Sequence, residues 1–189
     1  MSNNFNSKAK KYAYLILSIF CVATISLVVV LSAIASSNNN NITDPTNTTT
    51  ITFANPLETL TVIKGYSSTE LQYSNTLKQW QAHKAIDFSA ELGTNVFAVY
   101  DGTVTDISTT YLMGTTITID HGNNLQTVYA SLSETVNVEE GQTVKKGDII
   151  GTVANTAQSE SADGAHLHFE TIKDSAKIDP GTYLMLEDK

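Results

Sequence analysis

An antiparallel all-β domain standing behind one apolar N-terminal span is the architecture this sequence predicts, and three observations predict it. Short runs rich in β-branched residues are separated by turn dipeptides such as Asp101-Gly102, Gly122-Asn123 and Lys146-Gly147. Several of these runs alternate with a period of two, and none keeps a helical period beyond a short turn around Asn75 to Trp80. Ahead of them, the 23 residues from Ala13 to Ala35 carry no charge.

At about 1.5 Å per residue that run is long enough for the ~30 Å hydrocarbon core of a bilayer. Lys8, Lys10 and Lys11 precede it and the first charge after it is Asp44. The lysine bias puts the N-terminus, residues 1–12, in the cytoplasm and everything after the 13–35 transmembrane helix outside. A cleaved signal peptide is the competing reading, since Ser32-Ala33-Ile34-Ala35 resembles a small-residue cleavage site, but such peptides have shorter apolar cores of about 7–15 residues. The single cysteine, Cys21, falls inside the run, so the exterior part has no disulfide.

Residues 36–55 turn to Asn, Ser and Thr, with too little apolar surface to offset the entropy of ordering, and read as a disordered tether. Residues 56–189 form the domain. The eleven basic residues less the three N-terminal lysines leave eight against nineteen acids, a net charge of −11 outside the membrane. Such a charge disfavours nucleic acid and anionic lipid as partners, and no nucleic acid is expected.

Within the domain, strands are expected at Leu60 to Val62, Asn95 to Tyr100, Thr103 to Ile107, Thr115 to Asp120, Leu125 to Ala130, Thr135 to Val138, Asp148 to Val153 and His168 to Ile172. The runs at Thr116 to Ile119 and Leu125 to Tyr129 alternate as half-buried antiparallel strands do. The segment Glu140 to Gly151 places glycines at two turns around a hydrophobic corner. It resembles the corner of biotin- and lipoate-carrying sandwiches, yet has no Met-Lys-Met or Asp-Lys-Ala and reads as scaffold.

Three of the chain's four histidines sit in two short motifs. In His166-Leu167-His168-Phe169-Glu170 the imidazoles are two apart on a strand, so they face the same side about 6–7 Å from one another. In His83-Lys84-Ala85-Ile86-Asp87 a histidine precedes an acid by four. In one straight strand those two would stand about 13 Å apart, too far to share a metal, so sharing one requires His83 on a loop that folds back with Asp87 at the strand's start, which chain geometry permits without demanding. Imidazole with carboxylate is ligand chemistry for Zn²⁺, and three protein ligands with one open position make a catalytic kind of site.

These motifs, with TTITIDHGNNLQTVYASL, EEGQTVKKGDIIGTV and IDPGTYL in the same order, resemble peptidase family M23, the LytM or lysostaphin-type domain, over about Leu57 to Leu186. The resemblance implies a β-sheet groove holding one zinc and used to cut peptide bonds in peptidoglycan. It makes His83, Asp87 and His168 the zinc ligands and His166 a catalytic histidine beside the water that the zinc activates. One departure stands out. Where cutting members carry a second catalytic histidine in Tyr-x-His-Leu, this chain reads Tyr129-Ala130-Ser131-Leu132, and a serine cannot carry positive charge. Loss of one such donor typically costs about 10²–10³ in rate. Ala85 also replaces a usual glycine at the metal loop.

The span, the short polar tether and the Tyr-x-Ser-Leu-Ser-Glu stretch resemble a clostridial-type sporulation subgroup of that family. The subgroup implies a forespore-membrane protein facing the intermembrane space. There it would bind a mother-cell protein of the stage III sporulation protein AH type, as a homo-oligomeric ring with that partner, in a channel or zipper during engulfment. Two other readings stay open: an active zinc metalloendopeptidase acting on peptidoglycan, and a non-catalytic activator of an amidase. His121 is expected as a turn residue or one behind the site, Tyr129 as a groove donor or core aromatic, and Tyr73 and Trp80 as a groove wall or simple packing.

Overall fold

The structure, a computed structural model, describes residues 51–186. Twelve strands run through them: β1 (Val62–Lys64), β2 (Ser67–Ser74), β3 (Gln79–His83), β4 (Ile86–Ser89), β5 (Asn95–Phe97), β6 (Gly102–Thr110), β7 (Gly114–Asp120), β8 (Leu125–Leu132), β9 (Thr143–Val144), β10 (Ile149–Thr152), β11 (His166–Lys173) and β12 (Ala176–Ile178). Two short 3₁₀ segments, Gln158–Asp163 and Pro180–Thr182, are the helical elements among the described residues. The expected all-β antiparallel domain is therefore what the chain forms. None of the helices among these residues is long and apolar enough to cross a membrane, and the 13–35 run lies outside them.

An eight-stranded sheet carries the order β1-β4-β11-β8-β7-β6-β9, with β12 on the far end of β11. The alternation read in Thr116 to Ile119 and Leu125 to Tyr129 places Ile117, Ile119, Leu125, Thr127 and Tyr129 inside. β11 lies between β4 and β8, and its first six residues are buried on both faces, as a central strand requires. The ribbon β5–β10 packs over β7 and β8: a Cβ added at Gly151 would lie 3.6 Å from Leu132 and 3.8 Å from Ile117. Phe88, Phe169, Tyr129, Leu167 and Ile150 form the centre of the core with no exposed surface.

Three expectations are corrected. Asn75 to Trp80 is no helical turn but the tip of the β2–β3 hairpin running into β3. Lys78, at φ 54°, takes the left-handed position that a glycine would usually mark, so the turn is disguised. Thr135 to Val138 is not a strand. Val138 is buried and Asn137 N–H donates to the Ile150 carbonyl, but no ladder follows.

Residues 53 and 54, expected within the 36–55 stretch, pack on the domain. Phe53 is buried and stacks on Tyr183 at 4.8 Å, and its N–H donates to the Tyr183 carbonyl while Ala54 N–H donates to Val99.

Candidate metal centre

Register builds the site before any side chain is considered. Lys64 of β1 stands opposite Asp87 of β4, Asp87 opposite His168 of β11, and His168 opposite Ala130 of β8. A row across four strands thus brings an ammonium, a carboxylate and an imidazole into contact. His83 ends β3, and Lys84 and Ala85 turn the chain so that Asp87 re-enters as the second residue of β4. The chain folds back there, and Ala85 is not among the residues with positive φ, so no glycine is needed.

His83, Asp87 and His168 are joined by a residue absent from the sequence reading, Glu160, which hangs from the 3₁₀ segment just before β11. One ligand atom from each of the four lies within 4.8 Å of all the others. His83 Nε2 is 3.2 Å from Asp87 Oδ2 and 3.6 Å from Glu160 Oε1. His168 Nδ1 is 2.9 Å from Asp87 Oδ1 and 3.0 Å from Glu160 Oε2. His166 Nε2 stands 3.5 Å from Glu160 Oε2.

All of these groups are buried. Yet His83 Nε2, His168 Nδ1, His166 Nε2, both Asp87 oxygens and Glu160 Oε2 have no hydrogen-bond partner. Buried polar atoms are rarely left unsatisfied. Atoms this close that still fail to bond to one another are aimed at a shared point, and that is the arrangement a cation completes. Nitrogen and carboxylate oxygen together suit zinc.

Each imidazole is held in one tautomer by its other nitrogen. His83 Nδ1–H donates to the Gly65 carbonyl at 3.0 Å, His166 Nδ1–H to the Gly164 carbonyl at 2.8 Å, and His168 Nε2–H to Glu170 Oε1 at 3.1 Å. The nitrogens facing the centre are thereby the ones that carry the lone pair once the imidazole is neutral, the usual role of a partner behind a metal ligand. Lys177 Nζ bonds the same Glu170 oxygen at 2.6 Å and keeps that carboxylate ionised.

Burial opposes charge on every group of the centre, and mutual attraction overrides it. The Asp87 and Glu160 carboxylates push His83 up to about 9 and His168 well above the ordinary imidazole value. Glu160, against burial, also raises His166. The histidines in turn hold Asp87 and Glu160 below the usual carboxylate range despite burial. Lys64, lowered by burial, is raised further by Glu160, which it bonds at 3.1 Å, and by Asp163, also at 3.1 Å.

The remaining expected residues fall elsewhere. Ser131 is wholly buried at φ 62°, one residue past the His168 row, and its hydroxyl donates to the Ala154 carbonyl at 3.2 Å. Its only proton is therefore committed away from any substrate. His121 joins a separate network: its Nδ1–H donates to the Asp101 carbonyl at 2.8 Å, and its Nε2 lies 2.8 Å from Thr127 Oγ1. Tyr129 is a core aromatic whose hydroxyl accepts from Val99 N–H at 3.0 Å, and burial pushes its phenol up to about 12. Tyr73 and Trp80 pack edge to face on the β2–β3 hairpin and stay largely exposed. Beside His83 and His168 opens a groove of about 630 Å³, bordered also by Gln81, Met113, Ser159 and Lys177.

An antiparallel sheet with a metal-ligating cluster on its central strands, opening on a groove, is the architecture of a LytM-type domain. The model of peptidase family M23 matches residues 81–180, and the chain belongs to that family. Among characterised relatives, stage II sporulation protein Q of Bacillus subtilis is 32% identical over 139 residues, covering 67% of this chain and 47% of that protein. A solved SpoIIQ–SpoIIIAH pore-forming complex superposes with a TM-score of 0.61 at 28% identity, over 71% of this chain and 92% of that one. A zinc-containing peptidase from Vibrio cholerae superposes with a TM-score of 0.58 at 25% identity, over 66% of this chain and 37% of that one. The chain thus spans about half or less of the length of the curated relatives it matches.

Proposed function

We propose that this chain is a membrane-anchored, zinc-holding sporulation protein whose LytM domain binds a partner and cuts peptidoglycan weakly or not at all. Residues 13–35 would span the forespore membrane with residues 1–12 in the cytoplasm, and a tether ending near residue 50 would carry the domain into the intermembrane space. The partner there is a mother-cell protein of the stage III sporulation protein AH type, in a channel or zipper during engulfment. Likeness to stage II sporulation protein Q and to the SpoIIQ–SpoIIIAH complex supports this role.

The observation that carries the loss of cutting is Ser131. A peptidase of this geometry needs a donor for the oxyanion that develops on the scissile carbonyl, and the Ser131 hydroxyl is bonded to Ala154 instead. His83, Asp87 and His168 are the residues that would hold the zinc. Bound there, zinc would supply a Lewis acid. Gly65, Gly164 and Glu170 orient the three imidazoles, and His166 keeps Nε2 free to take a proton.

The second reading, an endopeptidase, is favoured by that same free His166 nitrogen and by the likeness to a zinc-containing peptidase. The two separate in one experiment. The zinc-loaded full chain, in detergent, is incubated with purified sacculi and, separately, with the exterior domain of the mother-cell partner. We expect co-elution with the partner and no new amine from the sacculi. Amine release that disappears in His168→Ala would make the chain an endopeptidase, and absence of co-elution would remove the partner.

A further inference from the structure

Glu160 has a place in the centre that neither the sequence motifs nor the function above assigns. The segment bearing it is fixed from three directions. Gln158 N–H and Ser159 N–H donate to the Tyr111 and Leu112 carbonyls beyond β6, Ala162 N–H donates to Thr76 Oγ1 at the β2–β3 tip, and Asp163 is bonded by Lys64. Within it Glu160 sits at a kink (φ −130°, ψ 21°) that drops its side chain into the site, where it is 5% exposed.

Three observations concern what the carboxylate does there. With zinc–ligand bonds of ~2.0–2.1 Å, the donor atoms of a tetrahedral site stand about 3.3 Å apart. His83 Nε2 lies 3.2 and 3.6 Å from one oxygen of Asp87 and of Glu160, and His168 Nδ1 lies 2.9 and 3.0 Å from the other oxygen of each, distances close to that edge. Next, the charges close. Asp87, Glu160 and Asp163 are three carboxylates around Lys64, whose Nζ lies 3.7, 3.1 and 3.1 Å from them. One ammonium and one divalent cation balance them, as a buried site requires. Last, His166 has no exposed surface, and the atom in front of its free Nε2 is a Glu160 oxygen at 3.5 Å. A general base must reach the water it deprotonates, and here a carboxylate occupies that place.

We propose that Glu160 is the fourth ligand of the metal, filling the position that a catalytic zinc site leaves open, with Lys64 latching it there. The centre is then closed and four-coordinate, of the structural kind, and His166 faces a carboxylate in place of a nucleophile. This deepens the zinc-holding function above and rests on it.

The test uses the full chain in detergent loaded with Co²⁺, whose visible spectrum reports coordination, and azide as a small anion that enters an open position. The wild-type spectrum is expected to be insensitive to azide, whereas Glu160→Gln and Glu160→Ala should shift with it. Zinc affinity, read by chelator competition, should fall in both by about 100-fold or more, beyond the roughly 10–100-fold that loss of a residue behind a ligand costs. Lys64→Met, which leaves Glu160 intact, should gain a weaker azide response and so guards against misfolding of the Glu160 variants. An azide shift in the wild type, or unchanged zinc affinity in Glu160→Ala, overturns the assignment while leaving zinc binding standing. Failure of the wild type to take up one equivalent of Co²⁺ or Zn²⁺ overturns the zinc-holding function itself.

Discussion

Two histidine clusters share one sheet, and they are built on opposite rules. Around His121 every polar atom is spoken for. Val99 N–H donates to the Tyr129 hydroxyl, that hydroxyl and Thr127 Oγ1 are 3.2 Å apart, Thr127 reaches His121 Nε2, and His121 Nδ1–H ends on the Asp101 carbonyl. The Tyr129 hydroxyl is the acceptor of both its bonds, from Val99 N–H and from Thr127 Oγ1–H. Around His83 and His168 the atoms facing inward are orphaned, while those facing outward are bonded. A satisfied chain is scaffold and a convergent set of orphans is a ligand site, although the residue types are much the same.

The largest effect that sharpens this contrast belongs to His168→Ala. It should abolish stoichiometric zinc uptake, measured by metal analysis after gel filtration. It should also erase the thermal stabilisation that zinc gives the wild type, about 4 kcal/mol at a thousandfold excess over Kd.

Tyr129→Phe should do the reverse. Removing the hydroxyl leaves buried Val99 N–H without a partner and takes from Thr127 one of its two, which costs about 1–3 kcal/mol in urea unfolding, with zinc affinity unchanged. A loss of zinc affinity in this variant would break the separation of the two clusters.

The clusters also differ in the direction in which pH acts. Burial holds His121 below the ordinary imidazole value, against the Asp101 carbonyl and the Asp120 and Asp101 carboxylates. The unfolded chain therefore binds the proton more readily than the folded one. The contribution of His121 to stability is present above about pH 6.5 and is lost as pH falls through its lower folded value. Urea midpoints of the wild type and His121→Gln should consequently converge between pH 7.5 and 5. Parallel curves would sink the point.

Smallest of all should be Ser131→Ala, which gives up one hydrogen bond to Ala154 for about 1 kcal/mol and leaves zinc affinity as it was.

Much of this was legible beforehand for reasons that are local. Period-two alternation placed β7 and β8, and the same alternation put His166 and His168 on one face of β11. Had it been carried one step further along His168-Phe169-Glu170, it would have paired Glu170 with His168 as well. The β2–β3 hairpin stayed hidden because Lys78, a non-glycine, takes the left-handed turn position. Lys64 enters the site only through strand pairing between β1 and β4, which no local pattern encodes. Glu160 sits in a polar Gln158–Asp163 stretch with no periodicity, and its position depends on contacts with Leu112, Thr76 and Lys64 far away in sequence.

The buried seat of Ser131 also bears on how such a lineage can evolve. A histidine returned to this position would need room that a side chain with no exposed surface does not leave, and it would forfeit the bond to Ala154. With Glu160 still over His166, that single change would restore no cutting for selection to favour. With Glu160 as a ligand, a histidine at position 131 and an open metal position would take two substitutions together.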